Sequence, residues 1–327
     1  MIVKKYSASL YVKALHSLHK RLSKNHPKYS MIKEEYYQNL AGEIGEEVVM
    51  KMMEQLKLPY KFYIFHNLSL YAESLFQVDI LLVTPYYALV LEVKNIKGEI
   101  TFTDQQMQRK LDTNVTHSYE SPVLQLEEYV YQLNLLFRAI GMNLPIYSAV
   151  VFAFPTSYIK VPPANKTVLS RRGIKPHIRN IKAITPYINE NQLDTLKNYL
   201  LNANTDFHPF PLTEYYGINP DSIRKGVECI NCGLIGMKKV IRSWYCPKCR
   251  VTHRDAHETA LVDYFLVFKN IISNQECQQF LNLNNKHEAT KILKSPLLMK
   301  SGKSRNRKYT IKLKSLVEIK GKGKPFQ

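Results

Sequence analysis

The stretch 78–93, VDILLVTPYYALVLEV, is the most apolar in this 327-residue chain, and it constrains the fold more than any other segment. Thr84 and Pro85 interrupt it, so it reads as two strands joined by a tight TPYY turn. The second strand, 88–93, is apolar at almost every position, as expected where both faces are covered. At its end stand Glu92 and Lys94, two residues apart and therefore pointing to one side. Antiparallel pairing across the turn brings Asp79 beside Glu92. Three charges at the edge of a core are costly unless something compensates them, and a divalent cation does so. Asp79, Glu92 and the main-chain carbonyl of Val93 suit Mg²⁺ (or Mn²⁺), a hard ion that takes oxygen ligands. Lys94 would orient and deprotonate a water and neutralise charge developing on a phosphate oxygen. The same triplet also allows a purely structural ion-pair cluster at a strand end.

The flanking pattern is α/β. Leu10, Val12, Leu15, Leu18 and Leu22 recur at helical intervals in a basic N-terminal segment. A second helix starts near Tyr29 and continues through EIGEEVVMKMMEQL, where Ile44, Val48, Met52 and Leu56 make one apolar stripe. After Pro59 come strands: YKFYIFHNLSL, QVDILLVT, ALVLEVKNI and, past a turn at Lys97 and Gly98, EITFT. Pro122 opens an amphipathic helix to about Ile140, PIYSAVVFA is a further strand, and TVLS and IRNIKAI read as strand-like. A helix near 191–201 and a loop rich in Pro and Asn close this part near residue 220.

Four pieces carry a family resemblance: GEIGEE at 42–47, QVDILL at 77–82, LEVKN at 91–95 and PVLQLEEY at 122–129. In this order they resemble the nuclease-related domain (NERD) family, a branch of the PD-(D/E)xK nucleases. The resemblance implies a restriction-endonuclease-like core and a metal-dependent phosphodiesterase. It implies Glu46 as a helix carboxylate supporting the metal or its water, Asp79 and Glu92 as ligands, and Lys94 as the catalytic lysine. Gln125 and Tyr129, four apart on one helix face, would steady the site or a substrate phosphate, with Gln77 beside Asp79 in support.

The string CINCGLIGMKKVIRSWYCPKC sets Cys229 and Cys232, then thirteen residues, then Cys246 and Cys249. Two such knuckles around a small hairpin deliver four thiolates to a structural Zn²⁺. Cys277 stands alone on a predicted helix and reads as a small core residue.

Beyond the ribbon, ALVDYFLVFKNII reads as one buried helix, followed by two short helices with Asn274 and Asn285 as N-caps and by two strands around a basic loop. This order resembles a winged helix. Lys286, His287, Thr290, Lys291 and Lys294 would contact nucleic acid from the third helix, and Lys303, Arg305, Arg307 and Lys308 from the wing. A net charge of +19 directs the chain to polyanions. A membrane surface is the weaker candidate, because neither a span of about 20 apolar residues nor a basic amphipathic anchor is present. The N-terminus lacks the apolar core of a signal peptide, which points to the cytoplasm.

The expected organisation is a basic helical segment (1–35), a nuclease-like α/β domain (36–220), a four-cysteine zinc ribbon (221–252) and a small α+β winged-helix-like module with a basic tail (253–327). The expected function is metal-dependent hydrolysis of DNA. The alternatives are a non-catalytic, regulatory DNA-binding protein on a nuclease fold and an RNA-directed nuclease.

Overall fold

The computed structural model describes residues 1–103, 105–111, 115–303 and 306–312. Its first elements are β1 (Ile2–Lys4), α1 (Leu10–Arg21) and α2 (Tyr29–Met53). The chain forms two compact units, one of residues 1–7 and 40–207, the other of residues 8–39 and the chain from His208 on.

The first unit continues with β2 (Tyr63–Tyr71), β3 (Leu75–Val83), β4 (Ala88–Lys94), β5 (Gly98–Phe102), β6 (Gln106–Lys110), β7 (Thr116–Glu120) and α3 (Pro122–Ala139). It ends with β8 (Ile146–Phe152), β9 (Ser157–Val161), β10 (Thr167–Ser170), α4 (Ile174–Asn180) and α5 (Glu190–Ala203). A six-stranded sheet runs β1-β2-β3-β4-β8-β10. The β2-β3-β4 meander is antiparallel, whereas β8 runs parallel to both β4 and β10. A parallel neighbour requires a crossover, and α3 lies on the one from β4 to β8. Helices cover both faces. Leu126 and Leu133 of α3 and Leu193 and Leu196 of α5 join one core, while Val49 and Met50 of α2 and Ile174 and Ile178 of α4 join the other. Strand β4 lies between these layers, which accounts for the apolar run from Ala88 to Leu91. The expected α/β core is therefore present.

Several local expectations are corrected. Helix α2 buries Val49, Met50 and Met53 while Ile44 is 48% exposed, so of the expected Ile44–Val48–Met52–Leu56 stripe only Met52 and Leu56 reach the core, and the packing face is rotated from it. IRNIKAI is not a strand: Ile174 and Ile178, four apart, turn their side chains into the core from α4. EITFT is a strand as expected and lies outside the main sheet. As β5 it enters a second, four-stranded sheet of order β7-β6-β5-β9, whose other strands are short and polar and carry little periodic signal.

The second unit holds α1, the start of α2, α6 (Leu212–Tyr215), β11 (Lys238–Val240), β12 (Ser243–Tyr245), β13 (Thr252–His253), α7 (Ala256–Asp263), α8 (Asn274–Leu281), α9 (Lys286–Ile292), β14 (Leu298–Ser301) and β15 (Lys308–Ile311). The single helix expected up to Ile272 is divided. After α7 the chain makes a buried π-helical turn at Tyr264–Phe268 and then extends, and Ile272 exchanges backbone hydrogen bonds with Tyr309 of β15. Ser273, not Asn274, caps α8, whereas Asn285 caps α9 as expected. Arg21 of α1 is fully buried. Its Nη2 and Nε donate to Asp263 Oδ2 at 2.8 and 3.1 Å, and its Nη1 donates to the carbonyls of Arg224 and Gly226. Among the described residues no helix is long and apolar enough to cross a membrane.

Candidate active site and metal centre

The acidic site begins with an interruption of the sheet. Strands β2 and β3 pair His66 with Ile80 and then Leu68 with Val78, skipping Asn67 and Asp79, because Asn67 takes a left-handed φ of 51°. Residues two apart on a regular strand share a face. Here Val78 packs in the core under α3 and Ile80 in the core under α2, so the strand rotates at Asp79. On its other side β3 pairs Ile80 with Leu91, and the next step of that register sets Asp79 opposite Glu92. In place of a ladder bond, the Val93 N–H donates to Asp79 Oδ2 at 2.8 Å.

Glu92 is 3% exposed. Its Oε1 accepts from Lys94 Nζ at 2.6 Å, while its Oε2 is buried with no partner. Lys94 also donates to Gln125 Oε1 at 3.3 Å, and Gln125 Nε2 donates to the Tyr129 hydroxyl. Both come from α3, which Ser121 caps and Pro122 opens, Pro being compatible with the first helical position. Glu92, Lys94, Gln125 and Tyr129 thus form one hydrogen-bonded chain. Gln77, by contrast, is exposed and lies opposite Ser69.

Glu46 arrives on α2 through a close helix–strand contact. Asn95, just past β4, donates from Nδ2 to the Ala41 carbonyl at 2.8 Å, and Gly45 lies against its side chain. The Glu46 carboxylate is held at 2.8 Å from Nε2 of His66, a residue 2% exposed whose Nδ1 is buried without a partner. Sequence inspection missed His66, which reads as one more position in an aromatic, apolar strand.

Burial lifts the Asp79 carboxyl well above the usual carboxylate range, and the charges of Glu92 and Glu46 add to the effect. Burial also lifts Glu92, against the opposing charge and hydrogen bond of Lys94. The Tyr129 phenol is pushed up to about 12, chiefly by burial. The acidic residues are therefore short of positive charge. The unpartnered Glu92 Oε2, the rotation at Asp79 and an all-oxygen donor set fit a hard divalent cation. Among the described residues, however, the acids do not form a cluster of three with ligand atoms within 4.8 Å of one another, whereas the four cysteines do.

Those cysteines form a second centre. The sulfurs of Cys229 and Cys249 are 3.6 Å apart and those of Cys232 and Cys246 3.5 Å. A zinc tetrahedron with bonds of about 2.3 Å has edges of about 3.8 Å, so the set fits zinc. The two knuckles are alike. Gly233 N–H donates to Cys229 O and Arg250 N–H to Cys246 O, with Gly233 and Arg250 both in the left-handed region. Cys277 is buried elsewhere, on α8.

In the C-terminal part Lys286, His287, Lys291, Lys294, Lys303 and Lys308 are exposed. The Thr290 hydroxyl is engaged within the fold, accepting from Asn274 Nδ2 at 2.8 Å and donating to Lys286 O. Arg307 is partly buried, and Arg305 lies outside the described residues.

No curated protein and no solved structure matches this chain. The family model of the nuclease-related domain does match, over residues 41–153. That span holds Glu46, Asp79, Glu92, Lys94, Gln125 and Tyr129, and with it the chain carries a nuclease-related domain.

Proposed function

We propose that the nuclease-related domain hydrolyses phosphodiester bonds in DNA with the help of Mg²⁺ or Mn²⁺. The observation that carries this reading is Glu92 Oε2, a buried carboxylate oxygen without a partner beside Asp79, Val93 and Lys94. Asp79, Glu92 and the Val93 carbonyl would hold the cation, with Glu46 supporting it. When bound, the cation supplies Lewis-acid stabilisation of the phosphate and activation of water.

The remaining work falls to the chain. Lys94, gripped by Glu92 and Gln125, presents N–H donors to a non-bridging phosphate oxygen or to the attacking water. Gln125 and Tyr129 fix the lysine in place, and His66 fixes Glu46. Holding these groups before substrate arrives avoids reorganisation during the reaction.

The C-terminal part serves as the grip. Helices α8 and α9 and the β14–β15 hairpin, with Ile272 bridged to Tyr309, follow a winged-helix order, which supports the reading of residues 253–312 as a nucleic-acid-binding module. Lys286, Lys291, Lys294, Lys303, Arg307 and Lys308 would meet phosphates, giving affinity that falls steeply with salt. A reducing cytoplasm suits the four thiolates of the zinc ribbon.

The test compares wild type with Lys94→Ala on linear and circular duplex DNA, single-stranded DNA and RNA, with Mg²⁺, Mn²⁺ or EDTA. Wild type should cut DNA only with the divalent cation, and the variant should be slower by roughly two to four orders of magnitude. Equal cutting by both proteins, or none by either, refutes hydrolysis at this site. Cutting confined to RNA reassigns the substrate.

A further inference from the structure

The zinc ribbon carries a feature that four structural cysteines do not require. Strands β11 and β12 pair Lys238 with Tyr245, Lys239 with Trp244 and Val240 with Ser243, which leaves a two-residue turn of Ile241 and Arg242. Such turns favour Gly, Asn and Asp. Here one position is a β-branched apolar residue and the other, Arg242, takes a φ of 54°. Ile241 is 92% exposed, the highest value of any large hydrophobic side chain among the described residues. An outlier of this kind points from structure towards use.

The tip is stiff. Trp244 is fully buried and donates from Nε1 to His257 Nδ1 at 3.1 Å. The Lys239 ammonium lies 5.5 Å from the Trp244 ring centroid and donates to the carbonyls of Val240 and Ser243, bracing the turn. The cysteines hold the base of the hairpin. The hairpin itself is basic: from Met237 to Arg254 the sequence has Lys238, Lys239, Arg242, Lys248, Arg250 and Arg254 and no Asp or Glu, and Asp255 follows.

We propose that Ile241 is an apolar wedge that enters between adjacent bases of a nucleic-acid duplex while Lys238 and Arg242 hold the flanking phosphates. One rigid apolar side chain among cations suits insertion at a base step. Charge complementarity selects the polyanion. A membrane anchor would need a broader apolar face than Ile241 and the neighbouring Val240, which is 39% exposed. The choice of nucleic acid as occupant rests on the function proposed above.

Full-length, zinc-loaded protein without Mg²⁺ or Mn²⁺, so that nothing is cut, is titrated onto duplexes carrying 2-aminopurine, a base that brightens when unstacked. Wild type and Ile241→Leu should raise its fluorescence. Ile241→Ser should lose the rise and bind on the order of tenfold more weakly, with unchanged zinc content. Arg242→Ala should flatten the dependence of affinity on salt. A full rise with Ile241→Ser overturns the wedge, as does a wild type that binds anionic phosphatidylserine vesicles and ignores the duplex. The two readings separate cleanly. A fluorescence rise without cleavage in Mg²⁺ sinks hydrolysis alone, and cleavage without a rise sinks the wedge alone.

Discussion

Gly45 and Asn95 approach so closely that a Cβ on Gly45 would lie 2.6 Å from the Cβ of Asn95. That atom is anchored at the backbone and cannot swing aside, so the helix that carries Glu46 is seated against the end of β4 by the absence of a side chain. Gly45→Ala should push α2 away, cost about 1–3 kcal/mol through overpacking and lower cleavage further than the stability loss explains. Denaturant unfolding and initial rates on one preparation check this. An unaltered variant would show that the helix tolerates displacement.

The raised Asp79 and Glu92 carboxyls make a prediction about pH. Because the folded state favours their protonated forms, their stabilising contribution is complete below the unfolded-state values near 4 and is lost as pH rises through the raised folded values. In zinc-loaded protein free of Mg²⁺ and Mn²⁺, Asp79→Asn should therefore be more stable than wild type. The gap should widen as pH rises above the unfolded-state values near 4. Thermal unfolding of both proteins over that rise would show a constant or shrinking gap if the carboxyls were not raised.

Gln125 touches Lys94 and Tyr129. Loss of an outer partner at a metal site typically costs about 10–100-fold in activity or metal affinity. Gln125→Ala should fall in that range, milder than Lys94→Ala, and the loss should appear in kcat more than in KM. A pure KM effect would make Gln125 a substrate contact instead.

Zinc removal should act on the second unit. Small four-cysteine units typically take much of their stability from the metal. Cys249→Ser should lower bound zinc below about 0.5 equivalents in protein purified without chelator. Metal analysis decides it, and full zinc content in the variant would dismiss the four-cysteine site.

Asp263 leaves Arg21 without a counter-charge when removed. Asp263→Ala should cost about 3–5 kcal/mol, whereas Arg21→Met with Asp263→Leu should recover most of the loss, since no unpaired charge then remains buried. Urea unfolding of the single and double variants tests the difference.

What sequence could show followed from periodicity and spacing. The apolar run that opens β4, the two CxxC pairs and the order GEIGEE, QVDILL, LEVKN, PVLQLEEY each have a direct structural cause. Glu92, Lys94, Gln125 and Tyr129 meet because strand and helix geometry is regular. His66 escaped notice because a histidine in an apolar strand has no partner until Glu46 is set beside it by a contact between distant segments. The rotation at Asp79 depends on the backbone of Asn67, and Asn tolerates that conformation in many loops without signalling it in a strand. The short polar strands β6, β7 and β9 lack alternation, so their pairing is dictated by neighbours.

The Arg21–Asp263 pair also bears on how the protein is made. The two residues are 242 apart in sequence. At about 5–20 residues per second, α1 leaves the ribosome roughly 10–50 seconds before the carboxylate that neutralises its arginine. Every segment of the unit that holds the nuclease-related domain has by then been synthesised, so that unit is free to fold first. The face of α1 that carries Leu15 and Leu18, fully covered in the folded protein, meanwhile stays open to solvent until those later partners emerge.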